Sequence, residues 1–261
     1  MKDQVFVKTD KSGSKKRRVH ITLIITFTIL CIFGFFAYLY YWSPLFRVNE
    51  FLVRGVSDVE EVRSAIMDYA TSQDSFFSPA HDRIVFWMSH DGEIKSPSFL
   101  PLASSINVTS NIEEKTVIAD VTPRVMRGVW CVLNGCFVFD EDGILFAHAP
   151  DVSGSLILKI RDENNTPVSL GSSVLSSEEF RLMSHAVEHV KKNNIPVSEV
   201  VLQNKELKEW ATVAPNGFSV RFSFNTIPED LDSVFKGVFE RTQLEKLTYI
   251  DLRVSNRVYF K

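Results

Sequence analysis

Apolar and polar positions divide the chain into one long apolar run followed by many short alternating segments. The run is Ile21 to Trp42, 22 positions without Asp, Glu, Lys or Arg. A helix of that length spans about 33 Å at about 1.5 Å per residue, enough for a bilayer core. Its far end, Tyr38, Tyr40, Tyr41 and Trp42, has the aromatic composition of a headgroup-level belt. Beyond it, Phe46 to Arg54 sets Val48, Phe51 and Val53 among polar neighbours and reads as a strand closed by Gly55. Ser57, with Glu60 three residues later, has the spacing of a capping box. The helix it predicts carries Val59, Val62, Ile66 and Tyr69 at helical spacing. Residues 72–82 read as a loop through Pro79, with Phe76 and Phe77 needing cover. Ile84 to Met88 reads as a short helix, and Pro97 and Pro101 bracket another loop. Ser105 to Thr109 and Thr116 to Thr122 then alternate as a hairpin around Asn111 to Lys115.

From Met126 the alternation predicts a second unit. Val129 to Leu133 and Phe137 to Phe139 flank Asn134-Gly135, a hairpin signal. Asp140-Glu-Asp-Gly143 turns the chain into Ile144 to Ala147, and Leu156 to Ile160 is a further strand. Ser176 with Glu179 caps a helix bearing Phe180, Met183, Val187 and Val190 on one face. Glu199 to Leu202, Trp210 to Val213 and Phe218 to Phe224 read as strands. In the last, Phe218, Val220, Phe222 and Phe224 face in, while Ser219, Arg221 and Ser223 face out. Pro228 opens a second helix with Leu231, Val234, Phe235, Val238 and Phe239 on one face. Tyr249 to Arg253 is a strand, with Arg257 to Phe260 after it. The expected class is α+β: one N-terminal membrane helix (21–42), a small first unit (43–125), and a mostly antiparallel sheet with two helices (126–261).

Charge orients this arrangement. Residues 1–20 hold Lys2, Lys8, Lys11, Lys15, Lys16, Arg17 and Arg18 against Asp3 and Asp10, a balance of +5 in a chain of net −3, so the part beyond the helix carries −8. A basic flank stays cytoplasmic, which places the tail (1–20) inside and the bulk outside. A cleaved signal peptide is the rival reading, opposed by the length of the run and its bulky aromatic end. The acidic bulk excludes nucleic acid as a partner. Cys31 is an apolar filler within the helix. Cys131 and Cys136 lie outside, where disulfides persist. A two-residue type I′ turn at Asn134-Gly135 pairs Leu133 with Cys136 and leaves Cys131 diagonal to it, close enough for a possible disulfide that adds little beyond the hairpin.

Catalytic patterns are sparse. His185-Ala-Val-Glu-His189 matches the H-x-x-E-H zinc signature, in which two His one turn apart hold the metal and Glu188 acts as base. On a helical wheel the two rings lie opposite the apolar face and point to water, and no downstream ligand motif follows. His148, beside Pro150, reads as a turn residue. Asp140-Glu-Asp-Gly143 lacks the later ligands of a calcium loop and reads as an Asx-type turn. No P-loop, G-x-G-x-x-G or G-x-S-x-G occurs. The expectation is a protein without catalytic residues, cofactor or metal. A last strand at Tyr249 to Arg253 lies where a sheet edge invites strand addition by a partner, unless local structure closes that edge.

Three segments carry a resemblance. Phe46-Arg-Val-Asn-Glu-Phe-Leu-Val-Arg-Gly55 is similar to the F-x-V-x-x-I-x-V-x-G opening of the POTRA domain in the bacterial cell-division family FtsQ, also called DivIB. Trp130 with Val138-Phe-Asp-Glu-Asp-Gly143 resembles that family's W … D-x-x-G hairpin, and Tyr249-Ile-Asp-Leu-Arg253 its final Y-[VI]-D-[LM]-R strand. The order tail, membrane helix, POTRA domain (β-α-α-β-β, 43–125) and β domain (126–261) covers the whole chain. Thr122-Pro-Arg124 keeps only the Arg of a frequent Glu-Arg pair.

The resemblance implies a non-enzymatic scaffold of the division septum in the cytoplasmic membrane. Its POTRA domain meets other division proteins, and its β domain binds FtsB and FtsL, FtsB adding a strand beside the last strands. Carried over, the partner-binding candidates are Tyr249, Asp251 and Arg253, with Val254 and Ser255 just beyond. Asp251 and Arg253 have an alternative role as a charge pair that holds the strand. Tyr259 and Phe260 are added as aromatic residues without another explanation. The competing functions are a POTRA-containing component of another membrane assembly or transport complex, and a zinc hydrolase built on His185, Glu188 and His189.

Overall fold

The structure, a computed structural model, describes residues 12–41, 43–73, 81–151 and 157–261, and the side chains of these except residues 12–20, 40 and 41. The roles predicted for Lys2, Asp3, Lys8, Asp10, Lys11, Trp42, Phe76, Phe77, Pro79 and Leu156 lie outside the described residues, as do those of the side chains of Lys15 to Arg18, Tyr40 and Tyr41.

The chain is α+β, with one N-terminal apolar helix and a large, mostly antiparallel sheet. Helix α1 runs Ser12–Tyr41. It begins nine residues before the apolar run: Lys15 to Arg18, next to the run, are good helix formers and continue the helix toward its start. Within it, Ile21–Leu39 is long and apolar enough to cross a membrane.

By contacts the chain forms two compact units: residues 1–53, 67–92 and 108–119, and residues 54–66, 93–107 and 120–261. A four-stranded sheet has the order β1-β4-β3-β2, with β1 Glu50–Arg54, β2 Gly92–Lys95, β3 Ala103–Asn111 and β4 Thr116–Pro123. Strand β2 was not expected. Ile94 is its single large apolar residue, and three of its four residues are exposed, so no alternation announces it. Backbone pairing alone places it at the sheet edge. Helix α2 spans Val59–Ser72 and α3 spans Ile84–Met88. The cap of α2 is Asp58, one residue later than the predicted Ser57: its carboxylate accepts from Glu61 N at 3.2 Å. Phe51 and Trp87 are buried with ring centroids 5.0 Å apart.

The second sheet has nine strands in the order β13-β12-β11-β10-β9-β8-β5-β6-β7. They are β5 Gly128–Val132, β6 Gly135–Phe139, β7 Leu145–Ala149, β8 Leu158–Asp162, β9 Glu199–Asn204, β10 Glu209–Val213, β11 Ser219–Ser223, β12 Tyr249–Asp251 and β13 Tyr259–Phe260. Three neighbouring pairs are parallel, namely β5 with β8, β8 with β9, and β11 with β12. Helices α4 (Ser177–Lys192) and α5 (Leu231–Phe239) supply the last two crossovers, since parallel neighbours need a long connection. The predicted capping box of α4 is present, with Ser176 and Glu179 bonding reciprocally. Helix α5 starts later than Pro228, with Asp230 as its cap accepting from Ser233 N at 2.9 Å.

One face of this sheet is sealed. Trp130, Phe139, Ile160, Val200, Trp210, Val220, Phe222 and Ile250 form a single buried cluster with Met183 and Val190 of α4 and Phe235 of α5. Period-two alternation sends every second strand residue into it. The opposite face has a small apolar patch, Val129, Cys131, Cys136 and Ala149, with the paired Val201 and Ala211 also buried on it. His148 lies inside β7, opposite Phe137, rather than in a turn, because pairing continues as far as Ala149.

Arg124, the one residue carried over from the Glu-Arg pattern, is buried just beyond β4. Its guanidinium pairs with Asp140, with the two side chains only 2% and 6% exposed, and its Nε donates to Pro101 O at 2.9 Å. The other oxygen of Asp140 accepts from Asp142 N at 3.0 Å and Ile144 N at 2.9 Å, which is the expected Asx-type turn. Gly143 in that turn has φ +69°, and a Cβ there would lie 2.3 Å from Leu175 O.

Candidate functional site

The carried-over residues meet at the β10–β13 end of the nine-stranded sheet. Parallel pairing sets Tyr249 beside Ser219 and Asp251 beside Arg221. Antiparallel pairing with β13 sets Tyr259 beside Asp251 and Phe260 beside Ile250. Alternation then decides which way each points. Tyr249, Asp251 and Tyr259 share the face away from α4 and α5, while Phe260 packs against the buried cluster. Phe260 is thus partly buried against the core, whereas Tyr259 is exposed. Val254 and Ser255 are exposed in the turn between β12 and β13, closed by Arg257 N donating to Val254 O at 3.2 Å.

A charge network organises this face. Arg253 donates from Nε and Nη2 to the carboxylate of Asp251 at 2.6 to 3.1 Å, and from Nη1 to Glu209 at 2.8 Å. Its backbone N–H also donates to Asp251 at 3.0 Å, and its carbonyl accepts from the Thr226 hydroxyl at 3.0 Å. Partial burial raises the Asp251 carboxyl, but the Arg253 guanidinium and backbone N–H outweigh it, so it titrates below the usual range. The Asp251 carboxylate, opposed by burial and helped by Glu209, pushes Arg253 further up. The guanidinium of Arg221 lies over the Tyr249 ring, 4.5 Å from its centroid, in cation–π contact. The expected charge pair of Asp251 with Arg253 therefore exists and fixes the segment after β12. Glu209 and Arg221 were not singled out by the sequence. Arg221 was readable as outward-facing, but nothing announced the parallel β11–β12 register that brings it to Tyr249.

The edge predicted at Tyr249 to Arg253 is occupied within the chain. Lys261 N donates to Tyr249 O at 3.2 Å and Tyr249 N to Lys261 O at 3.3 Å, so β13 covers β12 and is itself the outermost strand.

Cys131 and Cys136 form a disulfide, Cα to Cα 4.1 Å, but not in the predicted register. Val132 pairs with Gly135, so Leu133 and Asn134 are the loop and the two cysteines face each other directly. Gly135 uses its freedom one position later than expected, at φ +140° as the first residue of β6. Neither Leu133 nor Asn134 has positive φ, which excludes type I′. The Sγ atoms and an Asp151 oxygen lie within 4.8 Å of one another, but the bond removes the thiolates a metal needs. In α4, His185 is exposed, whereas His189 is turned to α5, its Nδ1 2.8 Å from Asp232 Oδ1. This corrects the helical-wheel expectation that both rings point freely to water.

No protein-family pattern matches the chain, and no curated protein matches it in sequence.

Proposed function

We propose that the chain is a non-enzymatic, membrane-anchored scaffold of the bacterial division machinery, of the FtsQ/DivIB kind. In this reading the basic tail is cytoplasmic, α1 anchors the chain in the cytoplasmic membrane, and the remainder works on the outer side at the septum. The observation that carries the proposal is the β10–β13 end of the sheet. An aromatic and charged face, with Tyr249, Tyr259 and the Arg253 network, adjoins an outermost strand, while the opposite face is sealed by helices. FtsB or FtsL then adds a strand beside β13, because β13 holds the β12 edge. Backbone bonds supply affinity and the Tyr side chains specificity. The run β1, α2, α3, β3, β4 supports a POTRA domain, with β2 an addition to it.

Two experiments test this. Depletion of the protein in its source cell is expected to give filaments with unseparated septa, and normal division would refute the reading. Capture of FtsB by the full chain in detergent is expected to fall on Tyr249→Ala and Tyr259→Ala and to be unchanged on Leu207→Ala, an exposed residue in the β9–β10 turn. Undiminished capture by both tyrosine variants would move the site elsewhere. Capture of neither partner by the unaltered chain favours the second reading, a POTRA component of another membrane assembly.

A further inference from the structure

The scaffold reading leaves the H-x-x-E-H segment of α4 unused. Its two imidazoles lie one helical turn apart, with ring centroids 4.4 Å from each other. His189 reaches α5 through Nδ1, and the Asp232 carboxylate that receives it is held from two other directions. Asn193 Nδ2 donates to the same oxygen at 2.8 Å, and Lys192 Nζ to the other oxygen at 2.7 Å. An aspartate ionised at neutral pH has no proton to give, so Nδ1 carries the hydrogen and donates it. In the tautomer that donates from Nδ1, the lone pair of the imidazole is on Nε2. One nitrogen bonded to a carboxylate and the other left as a ligand is the arrangement imidazoles adopt at metal centres. The exposed His185 ring stands beside the His189 ring, four residues earlier on the same helix.

We propose that His185 and His189 form a two-imidazole site for a borderline divalent cation of the Zn2+, Ni2+ and Cu2+ class, with Asp232 as the positioning carboxylate. Two protein ligands leave the other coordination positions to water. The site needs no catalytic base and does not depend on the division reading. A bound ion clamps the third and fourth turns of α4 together. Through Asp232 it also strengthens the tie between α4 and α5, so it stabilises the fold by mass action. Imidazole sites hold Cu2+ more tightly than Zn2+.

Calorimetric titration of the full chain in detergent micelles with Zn2+ and with Cu2+, under oxidising conditions that keep Cys131 and Cys136 bonded, tests the proposal. The expected result is one equivalent bound, Cu2+ the tighter. His185→Gln and His189→Gln should each weaken it by more than about 10-fold, and Asp232→Asn by about 10–100-fold. His148→Gln should leave binding unchanged. Spin resonance of the Cu2+ complex should show coordinated imidazole nitrogen, lost on His185→Gln and altered on Asp232→Asn. His185 is exposed, so its variant keeps the fold and decides the question even if the other two do not. No saturable binding, or binding unchanged by His185→Gln, overturns the site and leaves His189 to Asp232 as a plain link between helices. Unchanged affinity and spectrum in Asp232→Asn overturn the positioning role.

Discussion

Replacing Asp140 by Asn tests how far the second unit depends on one buried ion pair. In the native protein Arg124 and Asp140 are almost wholly removed from water, at 2% and 6% side-chain exposure. The pair is held on both sides: Arg124 Nε donates to Pro101 O, Asp140 Oδ1 accepts from two backbone N–H groups, and Asp140 Oδ2 accepts from the guanidinium. The substituted side chain keeps the shape and an oxygen for the Asx-type turn, but presents an amide without charge to a buried cation. Breaking one side of such a pair costs about 3–5 kcal/mol, most of it the uncompensated charge. For a chain of this size about 1 kcal/mol moves Tm by about 2–4 °C, so a fall of about 6–20 °C is expected. Thermal unfolding followed by tryptophan fluorescence measures it, because Trp130 and Trp210 are both buried in the core of the same unit. The double variant Arg124→Met with Asp140→Asn removes both charges and should recover at least about 1.5 kcal/mol relative to the sum of the single changes. A single Asp140→Asn variant within about 1 kcal/mol of the native protein, with additive behaviour in the cycle, would refute the argument.

Three further outcomes follow from the same structure. Gly143→Ala places a methyl group at φ +69°, against the Leu175 carbonyl, and should cost about 1–3 kcal/mol in urea unfolding, whereas a neutral result would mean that the turn can rearrange. Reducing the Cys131–Cys136 bond reopens a short loop within one hairpin and should cost at most about 2 kcal/mol, seen as a Tm shift of a few degrees between oxidised and reduced protein; global unfolding on reduction would contradict so local a role. The Asp251 carboxyl titrates lower in the folded protein than the ordinary value of about 3.9, so its pairing with Arg253 stabilises the fold above that pH and is lost as pH falls through the folded value. Acid unfolding of Asp251→Asn should therefore show a shallower loss of stability below about pH 4 than the native chain, and identical acid profiles would count against the pairing.

The sequence by itself determined the local features of this protein. An uncharged apolar run gives α1, because an isolated helix satisfies its own backbone and needs no tertiary context to be recognised. Strict alternation in Phe218 to Phe224 gives β11, Ser176 with Glu179 gives the start of α4, and Asp140 to Gly143 gives the Asx-type turn, each from residues within one short window. Features without apolar contrast stayed silent. Strand β2, nearly all exposed, is held by backbone bonds that no side chain advertises, and the hairpin register at Gly135 turned on one φ angle. The candidate face was half legible: Tyr249, Asp251, Arg253 and Tyr259 were named, but Phe260 faces the core, and Glu209 and Arg221 went unseen. Only the tertiary structure decided these points. Register, strand order and the direction of a crossover depend on residues far apart in the chain, and pairing energies of backbone groups are nearly the same for every sequence. The same holds for Arg124, which the sequence leaves as an isolated cation and which the fold buries against Asp140, and for His189, which a helical wheel sends to water and which α5 draws to Asp232.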